Sequence, residues 1–188
     1  MPASSISIKD LIYQLPVEDK SALDAIIIKM EVEKNRVFSG PEMGSKKLYY
    51  VVDGLIRKFA ILHNKEQTLE FYFSNEVNFP MLLQSQIPLE THLQTVIPSV
   101  LFAIRIDQFE QLKSERPAIA KLETVILESA YNQVANRMLM FQSMNATERY
   151  HFMLQNAPEM VKLIPLKYIS SWLGINNASL SKIRAQLK

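Results

Sequence analysis

The chain has 188 residues, 48% of them apolar and 21% charged, which is the composition of an ordinary globular protein able to bury a sizeable core. It contains no cysteine, which excludes disulfides, thiolate zinc sites and cysteine-bound iron–sulfur clusters and suits a reducing compartment. The net charge of +2 is unevenly spread, because residues 1–145 hold 15 Lys and Arg against 17 Asp and Glu, whereas residues 146–188 hold 6 against 2.

Neither the N-terminal end nor the longest uncharged stretches have the pattern of an export or membrane signal. The first fifteen residues carry Lys9 and Asp10 and lack the apolar core of a signal peptide. The uncharged stretches 77–89 and 91–104 are too short and too polar to span a bilayer. We therefore expect a cytoplasmic protein with no membrane partner.

The first third of the chain changes from a helical to a strand pattern. Apolar side chains recur at helical spacing over residues 6–35, which predicts helix with a break near Pro16. Apolar runs at 48–52 and 55–61 then flank Asp53-Gly54, a pair that favours a tight β-hairpin.

Further strands are predicted as far as residue 106. Residues 63–66 have the composition of a turn, and residues 67–73 alternate as a strand does. The β-rich runs 91–97 and 100–106 are separated by Pro98-Ser99. Several short antiparallel strands favour closure into a small barrel or roll.

A long helix is predicted after the strands. Asp107 is expected to cap a short helix that runs to Lys113, and Pro117 is expected to begin a second helix. Residues 118–144 contain neither glycine nor proline, so nothing interrupts this helix.

Five apolar side chains on the long helix are spaced by four, three, four and three residues, which is a heptad pattern. They are Leu127, Tyr131, Val134, Met138 and Phe141. Such a seam favours a partner helix, although the stripe could also pack on the chain's own roll. A helix of about 28 residues reaches roughly 40 Å, more than a small roll covers, so we expect a homodimer.

The C-terminal end has the pattern of a helix-turn-helix. Asn145 and Glu148 are spaced as a capping box for a helix that runs to about residue 155. Residues 165–188 predict two helices that meet at 173–175, where Gly174 suits a left-handed end and Asn176 a new cap.

The second of these helices is expected to present a polar and basic face to solvent, because Leu180 and Ile183 turn inward. Such a face suits hydrogen bonds to base edges and contacts of cations with phosphates, and the local excess of positive charge favours the same partner. The alternative is an αα-hairpin without a ligand. The residues predicted to contact DNA are Lys167, Asn176, Asn177, Ser179, Ser181, Lys182, Arg184 and Lys188.

A roll, a long helix and a C-terminal helix-turn-helix together resemble the Crp/Fnr regulators over essentially the whole chain. The runs 147–150, 165–169 and 180–184 resemble the Bacteroidetes branch in particular. The resemblance implies an α+β fold: an antiparallel roll of the cyclic-nucleotide-binding type, a long dimerisation helix and a winged-helix-like DNA-binding domain. It also implies a palindromic double-stranded DNA operator, and RNA polymerase as a further partner.

The resemblance divides the chain into an N-terminal helical and roll part (1–116), a dimerisation helix (117–145) and a DNA-binding part (146–188). Two departures qualify it. The best-known members read DNA with a Glu and two Arg, but the corresponding positions here are Asn177, Ala178 and Lys182, so the Glu is missing and one Arg is replaced by Lys. The usual wing hairpin does not follow the second helix, so we expect the wing to be missing or truncated. These departures favour an alternative, a protein-interaction or small-ligand sensor module that has lost DNA binding, whereas Lys182, Arg184 and Lys188 argue against it.

The sequence lacks the residues that the usual effectors of the family require for binding. Residues 67–104 contain no Lys, Arg or Gly, which argues against a phosphate site and so against cyclic AMP. Haem would need His63, His92 or His151, which stand isolated on different segments. The sequence also lacks a clustered metal site and a nucleophile motif, so we expect no enzyme. An apolar effector pocket against the long helix remains a hypothesis beside plain core packing, with Phe71, Phe73, Phe79 and Leu82 as its lining.

Overall fold

A computed structural model describes residues 8–39, 46–78 and 90–186 of the chain, except the side chains of residues 159 and 160. Two short helices come first, α1 (Ile8–Gln14) and α2 (Val17–Ala25). The strands among the described residues are β1 (Ile28–Val32), β2 (Val37–Ser39), β3 (Lys47–Asp53), β4 (Leu55–Leu62), β5 (Lys65–Phe73), β6 (Val77–Asn78), β7 (Thr91–Thr95) and β8 (Ser99–Arg105). The later helices are α3 (Ile106–Glu115), α4 (Pro117–Ser143), α5 (Ala146–Asn156), α6 (Pro158–Leu163), α7 (Leu166–Trp172) and α8 (Asn177–Gln186).

The strands form two antiparallel sheets, in the orders β1-β8-β3-β6 and β2-β7-β4-β5. Side chains from both sheets share one core, in which Val51, Ile56 and Leu101 are completely buried. The predicted α+β fold with an antiparallel roll, a long helix and a C-terminal helical part is confirmed. Among the described residues, no helix combines the length and the apolarity that crossing a membrane requires.

The predicted N-terminal helix is wrong beyond Ala25. Residues 28–32 form β1, whose Met30 lies opposite Leu101 of β8. Two causes explain the error. The run Ile26-Ile27-Ile28 is β-branched and fits a pleated sheet better than a helix, and β8 offers an edge that only long-range pairing reveals.

The predicted hairpin at Asp53-Gly54 is also wrong. β3 and β4 belong to different sheets, so the chain crosses here from one sheet to the other. Gly54 has a φ of 114°, and a Cβ at this position would lie 2.8 Å from the Cα of Ser99. Glycine is needed for that backbone angle and for the close approach, not for a two-residue turn.

The turn predicted at residues 63–66 is confirmed. His63 and Asn64 have φ values of 49° and 60°, and Leu62 pairs with Lys65 across the turn. Two consecutive residues with positive φ make a turn whose twist matches that of the paired strands. The strands predicted at 67–73, 91–97 and 100–106 are present as β5, β7 and β8.

The helix that follows β8 begins two residues earlier than predicted, at Ile106. Its N-cap is Arg105, so Asp107 is not the cap. Asp107 instead lies in the first turn, where its Oδ1 accepts from the backbone N–H of Gln108 at 3.0 Å and from Nε of Arg105 at 3.0 Å. The short helix α6 is a further element that the sequence pattern did not predict.

The long helix α4 begins at Pro117, as predicted, and its first half packs against the roll. Ile119, Leu122 and Ile126 are buried in a cluster with Leu48 and Ile104 of the sheet. The second half of α4 extends beyond this cluster and contacts the C-terminal helices, where Arg137 bonds to the carbonyl of Trp172.

Candidate nucleic-acid interface

The C-terminal helices start from the capping box that the sequence predicts. Oδ1 of Asn145 accepts from the backbone N–H groups of Thr147 at 3.0 Å and Glu148 at 3.1 Å. In return, Oε2 of Glu148 accepts from the backbone N–H of Asn145 at 2.7 Å. This exchange satisfies N–H groups that have no partner within the helix and fixes the start of α5.

The turn between α7 and α8 has the predicted geometry. Gly174 has a φ of 70°, and its Cβ, if present, would lie 2.9 Å from the ring of Phe141 on α4. Oδ1 of Asn176 accepts from the backbone N–H of Ser179 at 2.8 Å and so caps α8. Leu180 and Ile183 are buried in the cluster that holds the C-terminal helices together.

The outer face of α8 carries most of the predicted DNA contacts. Asn177, Ser181, Lys182 and Arg184 are exposed, while Ser179 is half-buried. Among the described residues, neither Lys182 nor Arg184 makes a salt bridge. No Asp or Glu occurs after Glu159, so this face has an uncompensated positive charge.

The other predicted contacts are placed differently. Lys167 is exposed on α7, with its Nζ 4.8 Å from the centre of the Tyr168 ring. The side-chain oxygens of Asn176 and Asn177 both have partners inside the motif, because Oδ1 of Asn177 accepts from the Ser170 hydroxyl. Lys188 lies outside the described residues.

The heptad stripe of α4 is exposed along its whole length. Its exposed fractions run from 39% for Phe141 to 73% for Tyr131. Phe141 is only partly exposed and also contacts two arginines. The centre of its ring lies 5.1 Å from the guanidinium of Arg137 and 4.5 Å from that of Arg149. It therefore links the stripe to the helix-turn-helix.

The first helix of the motif, α7, docks on β5, the edge strand of its sheet. A bulge in β5 leaves the backbone of Thr68 directed at the helix, and its N–H donates to Oγ of Ser171 at 2.8 Å. The Ser171 hydroxyl in turn donates to the carbonyl of Glu66 at 3.2 Å. The side chain of Gln67 donates to the Ser171 carbonyl. These bonds replace the strand partner that an edge otherwise lacks.

Arg57, which was not among the residues predicted from the sequence, lies beneath this docking contact and is only 1% exposed. Its Nε donates to Gln94 at 2.7 Å, its Nη1 donates to Thr68 at 3.2 Å, and its Nη2 pairs with Glu66. The guanidinium also stacks 3.7 Å from the centre of the Tyr168 ring of α7. A buried charge requires such a set of partners.

A signal for Arg57 exists in the sequence. It shares its strand face with Leu55 and Phe59, which are both buried, so the alternation of β4 places a charged side chain on a buried face. An arginine on the buried face of a strand indicates a specific partner.

Behind the helix-turn-helix, a cavity of about 840 Å³ lies where β5, α4 and the C-terminal helices meet. Two of the predicted effector-pocket residues, Phe71 and Phe73, line it, whereas Phe79 and Leu82 lie outside the described residues. The complete lining consists of Glu70, Phe71, Phe73, Glu76, Gln133, Asn136, Arg137, Leu139, Met140, Ser143, Met144, Phe152, Asn156, Ala157, Pro158 and Trp172. We call it the junction cavity.

Arg137 is the cationic group of the junction cavity. Its Nη2 donates to the carbonyl of Trp172 at 2.9 Å, while its buried Nη1 has no hydrogen-bond partner among the described residues. Burial lowers the pKa of the Arg137 guanidinium to about 10; the charge of Glu70 opposes this shift and that of Arg149 adds to it. The group stays cationic at neutral pH with one donor unused.

No protein-family model and no curated protein matches the chain. Solved structures do. The match to FixK2 from Bradyrhizobium japonicum has a TM-score of 0.69 at 18% identity and covers 86% of this chain and 84% of that one. A protein from Eubacterium rectale, described as a putative transcriptional regulator of the Crp/Fnr family, matches with a TM-score of 0.71 at 15% identity. The match covers 92% of this chain and 83% of that one.

The c-di-GMP responsive global regulator CLP from Xanthomonas campestris matches with a TM-score of 0.70 at 16% identity, over 92% of this chain and 91% of that one. Identities this low establish a shared fold. They do not show that this chain binds what any of these proteins binds. The agreement extends over the roll, the long helix and the C-terminal helices. The chain therefore has the fold of the Crp/Fnr regulators, which confirms at that level the resemblance of its sequence.

Proposed function

We propose that the chain is a DNA-binding transcription regulator that acts as a homodimer and reads a palindromic operator with α8. The observation that carries the proposal is the outer face of α8, where Ser181, Lys182 and Arg184 are exposed while Leu180 and Ile183 hold the inner face in the core. Unpaired cations beside short polar groups suit phosphates and base edges of a major groove.

The exposed stripe on α4 supports the dimer. Its apolar side chains Leu127 and Val134 remain 41% and 48% exposed. The buried side chains of the same helix, such as Leu122 and Ile126, face the roll. Pairing two copies along the stripe would remove this apolar surface from water and set the distance between the two copies of α8. A small-molecule effector would act by binding one such arrangement better than another.

The test is selection of bound sequences from a random duplex library at moderate salt. We expect enrichment of an inverted repeat whose half-sites lie about one helical turn, roughly 34 Å, apart. The double variant Lys182→Ala/Arg184→Ala should lose the enrichment because it removes the two unpaired cations of the face. Lys34→Ala/Lys65→Ala, which removes two exposed charges from the roll, is the matched control and should retain it. Absence of any motif across a range of salt, with and without cell extract, would overturn the proposal.

A second candidate function is a protein-contact module that has lost DNA binding. The observation in its favour is that Oδ1 of Asn176 and of Asn177 accepts hydrogen bonds within the motif instead of facing a partner. Salt separates the two functions: DNA binding through several phosphates weakens steeply as salt rises, and an apolar protein contact does not.

A further inference from the structure

The junction cavity has the size and position of a small-molecule site. Its volume of about 840 Å³ is within the range of pockets that hold metabolite-sized ligands. Its walls come from the roll through Phe71 and Phe73, from α4 through Met140, and from the C-terminal helices through Phe152 and Trp172. A molecule bound there would contact the roll, α4 and the C-terminal helices at once.

A second copy of the chain would leave the cavity open. Each residue of a helix advances by about 100°, so Gln133, Asn136 and Met140 point away from the stripe that contains Val134 and Phe141. A partner helix packed on the stripe therefore lies on the other side of α4.

Arg137 is the residue of the cavity that favours an anionic group on a ligand. Its Nη2 is fixed by the Trp172 carbonyl at 2.9 Å, and its ring neighbours Trp172 and Phe141 lie 4.9 Å and 5.1 Å away. The guanidinium is the one cation among the described residues of the lining, and its Nη1 is buried without a hydrogen-bond partner among them. A buried donor without an acceptor costs free energy, and a carboxylate is the acceptor that best matches a guanidinium.

The two acids of the lining limit how much negative charge a ligand can carry. Glu70 accepts from the Tyr72 hydroxyl and lies 3.9 Å from Nζ of Lys58. Glu76 accepts from the backbone N–H of Phe73 at 2.7 Å. Because both carboxyl groups already have protein partners, they leave Arg137 free, but they would repel a dianion or a phosphate ester.

The rest of the lining is aromatic and aliphatic. Phe71, Phe73, Phe152 and Trp172 offer ring faces, and Met140 offers a side chain that adapts to irregular shapes. Such walls favour the hydrocarbon part of a ligand over a sugar or a nucleotide.

We propose that the junction cavity binds a small apolar monocarboxylate whose carboxylate pairs with the guanidinium of Arg137. The binding step stands independently of the DNA-binding function, whereas its effect on α8 rests on that proposed function. Binding is therefore measured without DNA, so that failure of one proposal is distinguishable from failure of the other.

Trp172, the single tryptophan of the chain, reports directly on the cavity. We would titrate the full chain with octanoate and 4-phenylbutyrate and, in parallel, with octanamide and 4-phenylbutanamide. The expected result is a saturable change in Trp172 fluorescence with the acids, and calorimetric affinities at least about tenfold higher for the acids than for the amides.

Arg137→Gln should remove this preference, because it keeps a hydrogen-bond donor and loses the charge. The affinity for the acids should fall about tenfold, and the affinity for the amides should not change. Lys121→Gln, on an exposed position of the same helix, should behave as the unaltered chain. Circular dichroism and urea unfolding would verify that the variants fold, and Arg137→Lys should bind the acids with intermediate affinity. The proposal is overturned if neither acid binds up to its solubility limit, if acids and amides bind equally, or if Arg137→Gln retains the preference.

Discussion

The two helices of the helix-turn-helix use the same kinds of side chain for opposite purposes. On α7, Ser171 bonds to the backbone of β5 and Tyr168 stacks on a buried arginine. On α8, Ser181 and Lys182 are exposed and bond to nothing among the described residues. The first helix therefore holds the motif to the roll, and the second leaves Ser181 and Lys182 exposed, although Asn177 at its start bonds back to α7. Variants that target one helix at a time can separate these roles.

The largest effect is expected from Arg57→Leu. The change leaves Gln94 and Thr68 without their buried donor and removes the cation on which Tyr168 of α7 stacks. We expect the free energy of unfolding, measured with urea, to fall by about 2–4 kcal/mol. Arg105→Leu removes an arginine from an exposed pair with Asp107 and should cost less than about 1 kcal/mol. Equal losses in the two variants would contradict the role of Arg57.

Gly174→Ala should have the next largest effect. A side chain at a φ of 70° is strained, and its Cβ would meet the ring of Phe141 at 2.9 Å. We expect a loss of about 1–3 kcal/mol in urea unfolding. The same substitution in a Phe141→Ala background should cost less than in the unaltered chain, because only the backbone strain remains. An undiminished loss would show that the contact with Phe141 contributes nothing.

A serine pair gives the sharpest comparison of the two helices. Ser171→Ala removes the acceptor of the Thr68 N–H at the sheet edge and should lower the free energy of unfolding by about 1 kcal/mol. Ser181→Ala removes an identical hydroxyl from the exposed face of α8 and should change it by less than about 0.5 kcal/mol. For the affinity for a selected operator, we expect the reverse: Ser181→Ala should weaken binding more than Ser171→Ala does.

The smallest effect concerns Glu76, which lines the junction cavity. Burial raises the pKa of its carboxyl from the usual 4.5, although the hydrogen bond from the Phe73 N–H opposes the shift. A carboxyl whose pKa is raised by folding binds its proton more tightly in the folded chain, so stability decreases as the pH rises through that range. Glu76→Gln should therefore gain stability relative to the unaltered chain between pH 4.5 and neutrality, as pH-dependent urea unfolding would show. A difference independent of pH would mean that the carboxyl is not buried in solution.

Features with a local cause could be predicted from the sequence. The capping box at Asn145 and Glu148, the left-handed turn at Gly174 and the start of α4 at Pro117 each depend on residues a few positions apart. The exposed heptad stripe was predictable for the same reason, because its spacing is a property of a single helix.

Features with a long-range cause were not predictable. β1 exists because β8 pairs with it from about 70 positions away, and Gly54 marks a crossing because β3 and β4 find partners elsewhere in the chain. The docking of α7 on β5 joins Thr68 to Ser171, 103 positions apart. Nothing in the local pattern of either segment indicates the other, and so the junction cavity and the role of Arg137 emerged only from the structure.

The contact between α7 and β5 also concerns the solubility of the chain. If the helix-turn-helix moved away from the roll, the N–H of Thr68 and the carbonyl of Glu66 would lose Ser171 and become an open strand edge. Open edges pair readily with strands of other molecules and are a common start of aggregation. The same serine that holds α7 to β5 thus protects the sheet edge, and any state in which these helices move away from the roll must cover β5 in another way.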